Sequence, residues 1–191
     1  MTCGESIRVM HPLFQAGEGG SIPTSPLHMR VEQINYLLAL ELNEAWHSRL
    51  PRMGTGCIKN MPFLSFAATH ADRIYAVAIW SNPVARNLPQ KEWLELRRMA
   101  VAPDAPPNTC SWMLAVMKRL IKKLKPHIDR LVSYSDTEVH EGTIYKAAGW
   151  TPTTINPNGN WTRKSRPRPE AQSLSAKQRW EISVRAIRER K

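Results

Sequence analysis

The stretch Trp93-Leu94-Glu95-Leu96-Arg97-Arg98-Met99-Ala100-Val101, then PDAPPNTCS at 103–111, then MLAVMKRLIKKL at 113–124 decides the fold. The first part reads as a strand. The second carries three prolines and a run of Asn, Thr and Ser, so it reads as a loop delivering the chain into a helix. In the third, Met113, Val116, Met117, Leu120, Ile121 and Leu124 recur at i, i+3, i+4, i+7, i+8 and i+11, while Lys118, Arg119, Lys122, Lys123 and Lys125 take the other face. Pro126 stops the helix, because its ring cannot continue the hydrogen-bond ladder.

Working outward, residues 63–69 and 74–81 flank His70-Ala71-Asp72-Arg73 and predict an antiparallel hairpin. Residues 130–136 (RLVSYSD) predict a strand, and residues 138–148 a short helix ended by Gly149. Upstream, Val31, Ile34, Leu38, Leu42, Ala45 and Trp46 predict a helix from Met29 to about His47. Residues 6–14 could open the sheet, and residues 15–28 read as a Gly/Ser/Pro-rich loop. Residues 156–170 read as a linker and 171–190 as a helix with an irregular apolar stripe.

The resulting order is β, α, hairpin, long strand, loop, α, β, α. It predicts the α+β class: a central mixed sheet flanked by helices, with a basic C-terminal extension. The expected division is an N-terminal strand and loop (1–28), a catalytic core (29–155) and a linker with a C-terminal helix (156–191). This order resembles the GNAT-type acyltransferase plan, in which the central strand, loop and helix hold the pyrophosphate of acetyl-CoA.

The chain has 191 residues with 27 Lys+Arg against 16 Asp+Glu, a net charge of +11. That length predicts one domain plus appendages, and 42 % hydrophobic residues suffice for a core, which excludes wholesale disorder. No apolar run approaches the ~18 residues of a membrane span, and the N-terminus lacks a basic-then-apolar leader. Cys3, Cys57 and Cys110 show no zinc-site spacing and are expected to be reduced thiols in a cytoplasmic protein. Nothing in the sequence sets an oligomeric state.

A charge of this size favours a polyanion as partner: nucleic acid, an acidic membrane or an acidic protein. Most of it lies in residues 162–191, where ten Lys and Arg face only Glu170, Glu181 and Glu189. A solvated tail and a solvated helix face would explain the same pattern.

Four segments carry a family resemblance: LELRRM (94–99), PPNTCS (106–111), VSYSD (132–136) and GTIYKAAGW (142–150), with WHSRLP (46–51) upstream. In this order and spacing they resemble bacteriophage Mom-type DNA adenine-modification proteins. The resemblance implies a GNAT-like fold and conversion of adenine in double-stranded DNA to its N6-carbamoylmethyl (acetamido) derivative, which shields phage DNA from host restriction enzymes. It implies a protein working in the host cytoplasm, with no membrane partner.

Two features bear on the donor. GNAT-type acetyl-CoA enzymes usually hold pyrophosphate on a glycine-rich loop. Here that loop has no glycine, and prolines at 103, 106 and 107 offer no N–H, which counts against conventional binding of acetyl-CoA or a related donor. Asn108, Thr109 and Ser111 could present an anion site there or simply cap the helix. Second, attack of an amine on a thioester carbonyl gives an N-acetyl product, whereas a carbamoylmethyl product needs nitrogen bonded to a methylene carbon. A redox metal such as iron is one way to meet that demand.

Candidate catalytic residues are His47, Arg98, Tyr134, Asp136 and Tyr145. His47, at a helix end, could be a base, a metal ligand or a capping residue. Asp136, ending a strand, could bind a metal, orient a base or cap the next segment. Tyr134 shares its strand face and could stack on a base or pack. Arg98 is costly to bury alone, so it should meet a phosphate or a carboxylate, Glu95 or Asp136 among them. Tyr145 matches the position where the resemblance implies an acid for a leaving thiolate; the alternative is core packing. His47, Asp136 and Tyr145 together could make an N/O site for iron, with His140 at the pocket border.

Action on a duplex base requires extruding it onto aromatic side chains, for which Trp46, Tyr134 and Trp150 are candidates. Lys118, Lys122, Arg163, Lys164, Arg166 and Arg168 would then hold DNA phosphates. Two rival functions remain open: a GNAT-like N-acetyltransferase of a small amine or protein, and a DNA-binding protein without catalysis.

Overall fold

A computed structural model of the chain describes residues 25–47, 63–157 and 175–185. Its strands are β1 (Arg30–Gln33), β2 (Leu64–His70), β3 (Arg73–Ser81), β4 (Trp93–Val101), β5 (Arg130–Asp136), β6 (Thr151–Asn156) and β7 (Lys177–Ser183); its helices are α1 (Tyr36–Trp46), α2 (Thr109–Leu124) and α3 (Thr143–Ala147). They build one mixed sheet of order β1-β2-β3-β4-β5-β7-β6. Every neighbouring pair is antiparallel except β4 and β5. The class is α+β, as the element order predicts.

The hairpin stands where the two segments flanking His70–Arg73 put it. Ala71 and Asp72 both have positive φ, 45° and 61°, the paired left-handed geometry whose twist suits a two-residue turn between antiparallel strands. β4 and β5 occupy 93–101 and 130–136 as expected, and α2 ends at Leu124, two residues before Pro126.

Three expectations are corrected. The helix expected from Met29 begins only at Tyr36, because Asn35 caps it by accepting the Leu37 N–H at 2.7 Å. Residues 30–33 instead pair with Phe66–Thr69 as an edge strand, so Val31 packs on one face of the sheet and Ile34 on the other. The helix expected over 138–148 is limited to α3, since Asp136 ties residues 136–140 into a turn, accepting the His140 N–H through its carbonyl and the Glu138 N–H through its carboxylate.

The third correction is larger. Residues 177–183, within the expected C-terminal helix, are a strand inserted between β5 and β6. Trp180 is buried on one face, while Lys177, Arg179 and Glu181 alternate onto the other. Seven residues of β5 pair with it in continuous register. The segment beyond residue 155 therefore supplies part of the sheet. The expected strand at 6–14 and the basic residues Arg163, Lys164, Arg166 and Arg168 lie outside the described residues.

The core has two sides. On one, Leu42 of α1 packs with Ala67, Val77 and Ala100, joined by Leu38 and Trp46. On the other, Met113, Met117 and Ile121 of α2 pack against Phe66, Ala78, Trp80 and Leu131. The Trp80 indole N–H donates to the Met117 sulfur at 3.2 Å. Burying each of these side chains contributes roughly 1.5–3 kcal/mol, which fixes α2 on the sheet. Among the described residues no helix is long and apolar enough to cross a membrane.

Candidate active site

β4 and β5 are paired only where Trp93–Glu95 meet Arg130–Val132. Beyond that point both strands run on, β4 to Val101 and β5 to Asp136, without pairing each other. The sheet thus splits at its centre. A bulge helps part the strands: Leu96 pairs with Trp80 and Arg98 with Ile79, so Arg97 is an extra residue. Such an insertion bends a strand and lets consecutive side chains share a face.

The α1 side of this split is polar. Glu95 is buried, accepts the Val84 N–H at 2.9 Å and pairs with Arg97 at 3.3 Å. Burial raises the Glu95 pKa, opposed by the Val84 amide and by Arg97 and Arg98. Arg98 donates to the Arg97 carbonyl at 2.8 Å, and burial followed by repulsion from Arg97 lowers its pKa. Glu95 makes an ion pair with Arg97, and its charge also acts on Arg98.

His47 is the C-cap of α1. Its pKa is lowered by burial first, then by the positive charge of Arg98, with His140 adding a smaller effect of the same sign. The end of α1, the bulge of β4 and the loop after β5 therefore bring His47, Arg98 and His140 together. Tyr134 faces the same side: burial and the Glu95 charge raise its pKa, and a hydrogen bond with Arg179 opposes them. Asp136 follows two residues on, with Lys177 donating to it at 2.6 Å.

Tyr145 does not join this group. It lies on the α2 side, where its hydroxyl is hydrogen-bonded with Ser133 at 2.8 Å and its ring stacks on Trp180 at 5.3 Å and meets Trp150 edge-on at 5.6 Å. Burial pushes its pKa up to about 12, so the phenol is neutral and placed as core packing with a satisfied hydroxyl. Tyr145→Phe should cost about 1 kcal/mol, read as a fall of a few degrees in Tm; an unchanged melt would show the Ser133 bond to be without weight.

An iron site made by His47, Asp136 and Tyr145 does not fit this arrangement. Tyr145 is protonated on the other face, Asp136 holds Lys177, and among the described residues no group of three or more His, Cys, Asp or Glu could hold a metal. Trp150 is buried in the aromatic cluster and Trp46 packs on the α1 core, so of the three base-stacking candidates Tyr134 alone stands in the polar face.

The α2 side of the split opens at the N-terminus of that helix. A cavity of about 210 Å³ is bounded there by Ala105, Asn108, Cys110, Ser111, Thr143 and Ile144. The expected side-chain caps are absent: Asn108 makes no capping bond, while the Thr109 and Ser111 hydroxyls donate backward to the carbonyls of Pro106 and Asn108, at 2.6 and 3.1 Å. Among the described residues no backbone carbonyl or capping side chain accepts the N–H groups of Cys110 and Ser111, as is usual for first-turn amides. Asn108 sits at φ 66°, the left-handed geometry a glycine would otherwise provide. Burial pushes the Cys110 thiol up to about 11.

Sequence reasoning named most of the polar face but missed Arg179 and Glu181, which reach it only through β7, and Glu95 entered only as a partner for Arg98. An isolated carboxylate in the otherwise apolar Trp93-Leu94-Glu95-Leu96, two residues before an arginine, was the available signal.

Comparison with solved structures shows the same fold. The ribosomal-protein-S18-alanine N-acetyltransferase from Escherichia coli aligns with a TM-score of 0.57 at 16 % identity, covering 85 % of this chain and 98 % of that one. A Bacillus subtilis acetyltransferase in complex with CoA gives 0.55 at 11 %, covering 81 % and 98 %. Spermidine N-acetyltransferase from Vibrio cholerae, in complex with CoA and spermine, gives 0.55 at 7 %, covering 83 % and 96 %. At these identities the likeness is one of GNAT fold. No curated protein sequence matches significantly. A family model matches residues 74–181, from β3 through the split to β7, and it shows that the chain belongs to the Mom protein family.

Proposed function

We propose that this chain is a DNA-modifying transferase that places a carbamoylmethyl group on the exocyclic amine of adenine. The observation that carries the reading is the family match across residues 74–181, which spans both strands of the split. The geometry supplies parts suited to it. His47, kept neutral near pH 7 by burial and by Arg98, can accept the N6 proton. Arg98 can hold an anionic or carbonyl oxygen, and Tyr134 can flank an extruded base, which any enzyme acting on a duplex base must accommodate.

In the step, a bond forms between N6 and a methylene carbon of the donor, the N6–H bond breaks with its proton passing to His47, and the donor's leaving group departs with the electron pair. A donor that carries a pyrophosphate would find a site for it at the Cys110 and Ser111 amides; for this step its leaving group must sit on the methylene of a CH2–C(O)NH2 unit, because the activated carbon of an acyl-CoA is the thioester carbonyl.

That same site favours one second reading, N-acetylation of an amine by acetyl-CoA, in which nitrogen bonds the thioester carbonyl and thiolate leaves. Nucleosides from the DNA of cells expressing the protein, analysed by mass spectrometry, separate the two. Carbamoylmethyl-adenine supports the first reading. Unmodified DNA with acetyl-CoA turnover replaces it with the second, and DNA retention with neither leaves a binding protein.

His47→Gln should lower turnover by 10²-fold or more, within the range of a lost general base. The wild-type acid limb should fall below pH 6.5, because a lowered histidine pKa delays protonation to lower pH. An acid limb that persists unchanged in His47→Gln would assign the proton to another group.

A further inference from the structure

Six of the described basic side chains are held in ion pairs. Arg73, Arg97, Arg130, Lys177, Arg179 and Arg185 are each paired with a carboxylate, at 2.6, 3.3, 2.5, 2.6, 2.8 and 2.5 Å respectively. Three of these, Lys177, Arg179 and Arg185, belong to the tail whose charge seemed free to bind a polyanion. Among the described residues no carboxylate is paired with Lys118, Lys122 or Lys125, nor with Lys91 or His127.

These unpaired cations are ordered. Lys118, Lys122 and Lys125 follow i, i+4 and i+7, so they form one row along α2 and its cap. At about 1.5 Å rise per residue the row is roughly 10 Å long, about the span of three successive phosphates of one DNA strand. It ends at a cavity of about 310 Å³, where Lys125 meets Lys91, His127 and Asn82 over Leu94 and Ile128. Lysines in the last turn of a helix would follow from the macrodipole alone. That cause does not reach Lys91 and His127, which come from separate segments and converge on the same cavity.

We propose that the Lys118–Lys122–Lys125 row and the cavity at its end form a docking track for the sugar–phosphate backbone of double-stranded DNA. The proposal rests on DNA being the substrate, and it adds where flanking duplex is held. α2 packs on the opposite side of the sheet from Arg98 and His47. The track therefore holds DNA away from the reacting base, and its loss should raise KM while leaving kcat in place.

The test is the salt dependence of binding of the full chain to a random-sequence duplex, followed by fluorescence anisotropy. The triple variant Lys91→Gln/Lys122→Gln/Lys125→Gln should flatten the plot of log affinity against log salt by about 2.7, roughly 0.9 for each lost phosphate contact, and weaken binding at least tenfold near 0.1 M salt. An unchanged slope overturns the track. So does an equal change per charge from Arg30→Gln, an exposed cation at the β1 edge, since net charge would then be responsible. Absence of duplex binding by the wild type overturns it as well. Nucleoside analysis reads the proposed chemistry independently. Modified adenine with an unchanged slope removes the track alone; a flattened slope with no modified base in wild-type cells keeps the track and removes the adenine reading.

Discussion

A chain stopped after residue 170 is expected to lose its cooperative fold. The cut removes β7, which pairs with β5 over seven residues on one side and with β6 on the other. It also removes Trp180, 2 % exposed, whose indole N–H donates to Ser135 at 2.9 Å and whose ring stacks on Tyr145. Loss of a buried tryptophan alone costs roughly 3–5 kcal/mol. The cut further removes two ion pairs: Arg130 loses Glu181 and Asp136 loses Lys177. Against a total stability of about 5–15 kcal/mol, these losses leave no margin. Circular dichroism and thermal melting should show no cooperative transition. The point variant Trp180→Ala should melt about 10 °C or more below the wild type. A truncated chain that melts cooperatively within a few degrees of the full protein would show β7 to be an appendage after all.

The second large effect belongs to Gly142, where a single methyl group should be enough to disturb the same aromatic cluster. This residue precedes α3 at φ 71°, and a Cβ placed on it would lie 1.9 Å from the Trp180 ring. The left-handed backbone costs an L-residue roughly 1–2 kcal/mol, and forcing a packed ring to move adds about 1–3. The ring cannot shift freely, since Ser135 holds its nitrogen and Tyr145 its face. Gly142→Ala should therefore lower Tm by about 5–15 °C, at roughly 2–4 °C per kcal/mol for a chain of this size. Gly149 provides the comparison: its φ is 76°, yet a Cβ there meets nothing within 4 Å. Gly149→Ala should cost only the backbone part. Equal effects at both positions would mean that Trp180 does not crowd Gly142.

Both effects bear on the split where the reaction is placed. β5 is held from one side by β7 and braced underneath by Tyr145 and Trp180, so its polar face can carry Tyr134 and Asp136 in a defined position. The aromatic cluster on the α2 side keeps the residues on the α1 side in place. This is why Tyr145, although it sits in one of the segments that carry the family resemblance, is placed as support for the strand and the polar group at the opening is built from His47, Arg98 and His140.

Local pattern was enough for the centre of this protein. The apolar runs of β2, β3 and β4, the two-residue turn at Ala71 and Asp72, the 3.6-residue stripe of α2 and its stop before Pro126 are each specified by residues close in sequence. The segments shared with the Mom family lie in the same region. Local pattern could not specify what depends on a distant partner. Residues 177–183 are too short to tell a period of 2 from one of 3.6, and their strand is decided by β5, which lies some forty residues earlier and offers a free edge. The same holds for β1, which pairs with β2 across the whole of α1. The sides of the sheet followed from the fold as well: the extra residue at Arg97 changes which β4 side chains share a face, and the alternation of β5 puts Ser133, which holds Tyr145, on the opposite side from Asp136. Charge was legible as a total and by its place along the chain. Which cations are free was decided by tertiary pairing, because a carboxylate brought within hydrogen-bond distance by the sheet neutralises the tail's Lys177, Arg179 and Arg185, and no described carboxylate is brought to the lysine row of α2.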